Sequence, residues 1–483
     1  ERKFTAMLKL FDPSSSLPVA ERGKAPVAIT SFFAGKPLVL DEKVKAGQVD
    51  DYVTPTFYAP NVSWLVQRNG MNPRHSLMVS LNGSEGNHMH ANGISMELYG
   101  KGYVLGPDAG IGKTLYQGLD YLEYYSQFPS HNTVCVDGIS SYPVMKSNHS
   151  FKLRALYPAA GERLPYQPIS YSEVYFREPE TFADQTRLNG IVNVGDSAGY
   201  YIDIFRSRKV EGGDKMHDYF YHNLGQQMTL TAADGSELGL QPTQELAFAG
   251  AHLYAYSYIY NKKRAVTSKD VKAGFTIQMP DKDDITMNLW MKGEEGREIF
   301  SALSPMTEGL SRIKNMPYSI KDQPTLTFVA RQKGEAWNRP FVAVYEPSTV
   351  KEPSCIAAVD YPQVKSEQQG SHVGIRVALT NGNVDWILSS DENAHHCKLE
   401  ELQARAGYAL CRQSEKGETI QAFLGNGTQL EADGVSIRTD APADVLLLKQ
   451  DGKWMYTATA PCRVVVGKKK YTLSVSKELR LLK

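Results

Sequence analysis

The sequence predicts a mainly β protein: a large antiparallel β-sandwich followed by a smaller C-terminal β-domain, with a short helical remnant at the N-terminus. Short runs in which apolar and polar residues alternate recur along the chain, the pattern of strands with one face buried. These runs are joined by dipeptides that accept positive φ, the mark of tight hairpins. Helical periodicity is confined to residues 1–11, where Phe4, Leu8 and Phe11 share one face before Asp12-Pro13 ends it.

A single short helix cannot bury its apolar stripe alone. Residues 1–50 therefore read as the helical end and linker of an upstream helical domain. Residues 51–430 read as the sandwich. Within them Ile94, Met96 and Leu98 alternate with polar neighbours up to Gly100-Lys101-Gly102, and Tyr103-Val104-Leu105 returns. Ile375, Val377 and Leu379 run to Asn381-Gly382, and Val384, Trp386 and Leu388 run back. Loops at Leu164-Pro165 and Glu178-Pro179 separate further strands. Gly425-Asn426-Gly427 and Asp433-Gly434 mark the start of the small terminal β-domain, 431–483, whose clearest hairpin turns at Asp451-Gly452.

Composition narrows the function. Lys plus Arg and Asp plus Glu both number 53 in 483 residues, so no global field draws in a polyanion. A nucleic-acid binder is disfavoured, and an acidic substrate would have to be met by local groups. No apolar run is long enough for a membrane-spanning helix. The five cysteines are scattered without a CxxC, which argues against a disulfide framework or a cysteine zinc site. Gly112-Lys113-Thr114 looks like the end of a phosphate-binding loop, but Pro107 stands where that loop needs its first glycine.

Histidine is where the chemistry concentrates. Seven of the eleven lie between His75 and His222. The densest point is Gly86-Asn87-His88-Met89-His90-Ala91-Asn92-Gly93. In extended chain His88 and His90 point to the same face. Alone, such a pair fits a metal site, a substrate contact with an anchored neighbour, or two structural histidines. It is preceded by Gln67-Arg68-Asn69-Gly70 and followed by Pro107-Asp108-Ala109-Gly110, then by Ser130-His131-Asn132-Thr133-Val134-Cys135-Val136-Asp137-Gly138. Farther on come Asp203-Ile204-Phe205-Arg206, Gly212-Gly213 and His217-Asp218-Tyr219.

In that order, these segments resemble the C-terminal β-sandwich half of the heparinase II/III-like polysaccharide lyases. Asn92 departs from the family pattern, where many members carry Asp. The resemblance implies cleavage of a uronic-acid polysaccharide by β-elimination. The leading substrates are glycosaminoglycans such as heparan sulfate, chondroitin or hyaluronan, and the alternative is alginate or another uronan. The rival from another class is a non-catalytic carbohydrate-binding protein on the same sandwich. The resemblance also implies an upstream (α/α) toroid, with the active cleft between toroid and sandwich, and a periplasmic, cell-surface or secreted setting.

By the same resemblance His88 is the catalytic residue, Asn87, Arg68 and His217 contact substrate, and His90, Asp108 and His131 hold a structural Zn²⁺. The chemistry suits these residue types. Elimination needs a neutralised carboxylate, a base for the C5 proton and an acid for the departing O4. Histidine, with an ordinary pKa of about 6.5, serves as a base near neutrality. Two imidazoles and a carboxylate form an acceptable zinc set. The acid and the carboxylate neutraliser are expected from the toroid, so the sandwich half alone is expected to be inactive.

Overall fold

The computed structural model describes residues 6–7, 9–10, 43, 45–49 and 52–483, except 73, 88–89, 111, 113–118, 141–145, 162–163, 248–253, 281 and 308–322. The chain divides into two compact units, 1–54 and 55–483. In the first, Ala6, Met7, Lys9 and Leu10 are helical, and the rest of the helix expected over 1–11 lies outside the described residues.

The second unit is built from antiparallel sheets. A five-stranded meander comes first, in the order Thr56–Ala59, Trp64–Arg68, Met78–Asn82, Ser95–Gly100, Tyr103–Gly106. Its last hairpin turns where the sequence predicts: Gly100 pairs with Tyr103, and Lys101 and Gly102 take φ of 54° and 91°. Two further sheets form the sandwich. One has eight strands, with Ala336–Thr349, Ala198–Lys209 and Ala183–Val194 at its middle. The other has six, including Thr325–Lys333, Met216–Asn223 and Val134–Val136. Phe205, Phe275 and Leu289 of the first sheet pack with Phe220, Phe300 and Phe328 of the second, and Met96 and Leu98 of the meander join the same core.

A C-terminal sheet of twelve strands covers the other face of the eight-stranded sheet. Ile375, Val377, Tyr408 and Phe423 pack there against Tyr200, Ile202, Ile204, Val342 and Val344. The strand Ala198–Lys209 is thus buried on both faces. Its two-residue period sends Tyr201 and Phe205 into one core and Tyr200, Ile202 and Ile204 into the other.

The boundary expected at 430/431 is not where this sheet begins. It falls inside the strand Thr419–Ala432, which pairs with Leu402–Gln413 on one side and Val435–Gln450 on the other. The C-terminal sheet starts at Ile356–Asp360. The glycines that suggested a linker mark an irregularity instead: pairing shifts register between Leu424 and Gln429, and Asn426 takes φ of 46°. Glycine inside a strand signals a bulge as often as an end.

Candidate metal centre and active site

Three connections of the fold converge on one point. His90 follows the short strand Ser84–Asn87, Asp108 follows Tyr103–Gly106, and His131 follows the 3₁₀ turn Phe128–Ser130. One ligand atom from each lies within 4.8 Å of the others. His131 is fully buried, and its Nδ1 sits 2.8 Å from Asp108 Oδ2. Its Nε2 is buried with no hydrogen-bond partner among the described residues. Asp108 Oδ1 accepts from the Gly110 backbone N–H at 3.0 Å, so the carboxylate fixes its own turn and the His131 ring together. The His90 ring lies 5.3 Å from the His131 ring and meets Tyr121 edge-on at 5.6 Å.

The electrostatics favour a neutral His90 and an ionised Asp108. Burial, reinforced by His131, pushes His90 down to about 4. Burial opposes ionisation of Asp108, but the charge and hydrogen bond of His131, then His90 and the Gly110 N–H, hold it well below the usual carboxylate range. Glu97, half-buried next to them, is pushed up to about 7, first by burial and then by the Asp108 charge. A neutral His90 imidazole and an ionised Asp108 carboxylate are the forms in which these two groups can ligate a divalent cation.

The backbone beneath is clamped. Asn132 donates from Nδ2 to the carbonyls of Met96 (2.9 Å) and Pro107 (3.1 Å). Its Oδ1 accepts from the His222 backbone N–H (2.6 Å) and lies 3.2 Å from His222 Nδ1. Since that amide oxygen can only accept, His222 Nδ1 carries the proton, and its Nε2 presents a buried lone pair with no partner among the described residues. Burial holds His222 down at about 3. Below Asn132, fully buried Arg187 donates to the carbonyls of Ile94 (2.8 Å) and Asn132 (2.6 Å). Its remaining donors meet Asp203 at 2.8 and 2.7 Å. Asp203 is also held by Asn189 (2.9 Å) and Tyr219 (2.6 Å). The sequence alone assigns no site role to Asn132, Arg187, Asp203 or His222. Asn132 and Asp203 stand in the segments that carry the resemblance, and Arg187 has no such signal.

The other expected site residues fare differently. His88 lies outside the described residues. Asn87 is placed by its backbone, paired with Lys146, and its side chain lies outside the described residues. Arg68 does not reach the cluster. It pairs with Met78, which pairs with Tyr99, whereas the histidine segment enters the same sheet at Ser95. That is two strand spacings and most of a strand length away, about 10 Å sideways and 13 Å along. His217 is not a substrate contact either. It is fully buried, with Nδ1 2.9 Å from Ser207 Oγ and Nε2 2.7 Å from Asp214 Oδ1. Both nitrogens are spent on pinning the turn that contains Gly212-Gly213. Asn92, the departure from the family pattern, is buried and bonded through Oδ1 to Ser84 Oγ, whose hydroxyl also reaches the His90 carbonyl at 2.7 Å.

Comparison with known proteins finds one curated relative in sequence and several solved structures. The chain is 27% identical over 433 residues to an endo-acting ulvan lyase of Formosa agariphila, covering 85% of this chain and 50% of that protein. The chain spans about half the length of the curated relative it matches. No family model matches it. Among solved structures, a heparinase III is similar at TM-score 0.43 and 13% identity, over 78% of this chain and 46% of that one. The heparan sulfate lyase HepC of Pedobacter heparinus is similar at TM-score 0.40 and 12% identity, over 78% and 47%.

Proposed function

We propose that this chain is the sandwich half of a lyase that cleaves a uronic-acid polysaccharide by β-elimination, with ulvan first among the substrates to test. The sequence relationship to an enzyme named for that activity carries the reading. It moves the uronan alternative ahead of the glycosaminoglycans. In this proposal His88, two positions before His90, removes the C5 proton, and Asn87 beside it contacts the uronate. The acid and the carboxylate neutraliser come from the helical domain that the family resemblance implies. His90, Asp108 and His131 hold a zinc ion, which when bound supplies rigidity to the histidine segment. The unpartnered Nε2 of buried His131 supports that fit. Polymers of this kind are met outside the cytoplasm, so the proposed setting is the periplasm, the cell surface or the medium. Among the described residues no helix is long and apolar enough to cross a membrane.

The test is ultraviolet absorbance of the unsaturated uronate product on ulvan, alginate, heparan sulfate, chondroitin and hyaluronan, with and without the helical half supplied. Absorbance should rise on ulvan when both halves are present. His88→Ala should then cut turnover by about 10² to 10⁴ with folding unchanged. His131→Ala should lose bound zinc, measured by elemental analysis. Binding of polysaccharide without any rise in absorbance would sink the lyase reading and leave a carbohydrate-binding protein.

A further inference from the structure

A second group of metal-competent side chains sits in the C-terminal sheet, remote in sequence from the first. His372 opens the strand His372–Leu379, and Asp391 and His395 lie between the strands Val384–Ser390 and His396–Leu399. One ligand atom from each lies within 4.8 Å of the others. Hydrogen bonding sets the state of each. His372 Nε2 lies 3.1 Å from the Gln368 carbonyl, which can only accept, so Nε2 carries the proton and Nδ1 presents its lone pair. That Nδ1 faces the Ser390 hydroxyl at 3.2 Å and the Cys397 thiol at 3.4 Å. Asp391 is fixed in place by Trp337 Nε1 on Oδ2 (2.7 Å) and by the Ser371 N–H on Oδ1 (2.9 Å). His395 Nδ1 is shielded from solvent and has no hydrogen-bond partner among the described residues.

Gly370 marks the space between them. A Cβ built there would lie 2.8 Å from Asp391 Oδ1, 3.0 Å from His395 Nδ1 and 3.1 Å from His372 Cε1. Gly370 is not among the glycines at positive φ, so its backbone does not demand glycine. The space does: an atom-sized gap faces a carboxylate oxygen and two imidazoles, and only the absence of a side chain keeps it open.

We propose that His372, Asp391 and His395 form a binding site for a divalent transition-metal cation of the zinc class, separate from the His90 cluster. Two imidazole nitrogens and one carboxylate oxygen suit such an ion and do not suit calcium or magnesium, which take oxygen ligands. The His372 Nε2–H bond to a backbone carbonyl is the kind of support that orients a ligating imidazole. The Cys397 thiol is the nearest further donor. The site ties the loop bearing Asp391 and His395 to the strand bearing His372. Through Trp337 it also ties the C-terminal sheet to the sandwich strand Ala336–Thr349.

The experiment uses the full chain carrying His90→Ala and His131→Ala, which silence the first cluster, titrated with Zn²⁺ against a chelating dye. One equivalent should bind, and the thermal midpoint should rise with Zn²⁺ concentration. Adding His395→Ala should weaken binding at least tenfold. Adding Gly370→Ala should do the same by filling the gap while leaving all three ligands in place, and the zinc-free thermal midpoint should stay close to that of the parent. No stoichiometric Zn²⁺ in the doubly substituted parent, or an affinity unchanged from that parent in the His395→Ala or the Gly370→Ala variant, overturns the proposal. If the parent fails to fold, bound zinc is compared between the native chain and its Gly370→Ala variant. One equivalent fewer in the variant supports the site, and equal content overturns it.

Discussion

Replacing Arg187 with leucine tests whether the histidine centre rests on a buried ionic clamp. Arg187 and Asp203 are both inaccessible to solvent, and the guanidinium also holds the carbonyls of Ile94 and Asn132. Removing one partner of a buried pair costs about 3 to 5 kcal/mol, because the other charge is left in a low-dielectric interior. Each abandoned carbonyl adds about 1 kcal/mol or more. These terms overlap, and Asp203 keeps Asn189 and Tyr219, so Arg187→Leu should lose about 5 kcal/mol in urea unfolding at unchanged slope. Since a domain's whole stability is about 5 to 15 kcal/mol, the variant should be near its folding limit. Adding Asp203→Leu should recover part of the loss, because a buried pair replaced by apolar residues is often neutral. A loss under about 1 kcal/mol for Arg187→Leu, or simple additivity of the two substitutions, would refute the clamp.

Gly93 has φ of 59° and faces Phe128, whose Cε1 would lie 2.7 Å from an added Cβ. Gly93→Ala should therefore cost about 2 to 3 kcal/mol in thermal unfolding, and a neutral result would show that the turn can relax. Glu352 receives Arg74, His75 (3.1 Å) and Lys101 (2.9 Å). Burial works against its ionisation, but the bonds from Lys101, His75 and Arg74 and the Lys101 charge together depress it to about 2. A depressed carboxylate contributes stability above its unfolded pKa of about 4.3 and loses it as pH falls toward 2. Glu352→Gln should flatten the acid limb of the melting curve between those limits by less than about 1 kcal/mol, since the cluster is partly exposed. The difference should shrink in high salt, and identical acid limbs would show that the bonds contribute nothing.

The hairpins were legible in the sequence because their information is local. Lys101-Gly102 and Asp451-Gly452 both sit at positive φ between alternating strands, and the turn chemistry alone fixes that geometry. The domain boundary was not legible, because a glycine-rich stretch has the same composition whether it links two domains or bends one strand. Only the pairing of Thr419–Ala432 with neighbours on both sides distinguishes the two.

The candidate site divides along the same line. His90, Asp108 and His131 come from segments whose order and spacing the family resemblance supplies, and the fold brings them together. The resemblance also assigns Arg68 and His217 to the substrate, which requires their side chains to leave the sheet toward solvent. That requirement is met only where one face of a sheet meets solvent. Here His217 lies on the strand Met216–Asn223, which is buried on both faces, so its side chain must find protein partners, and Ser207 and Asp214 are those partners. The same geometry explains Arg187, Asp203 and Arg206, three charged residues on the two central strands of a sheet covered on both sides. Arg206 points to the opposite layer, where Ser371 and Ser389 receive it at 2.8 and 3.1 Å. A charge in such a strand cannot reach water from either face, so its sequence position carries no orientation signal until the covering sheet is known. The sheet that covers it starts at Ile356, some 150 residues after Arg206 by the numbering, and no local window joins the two.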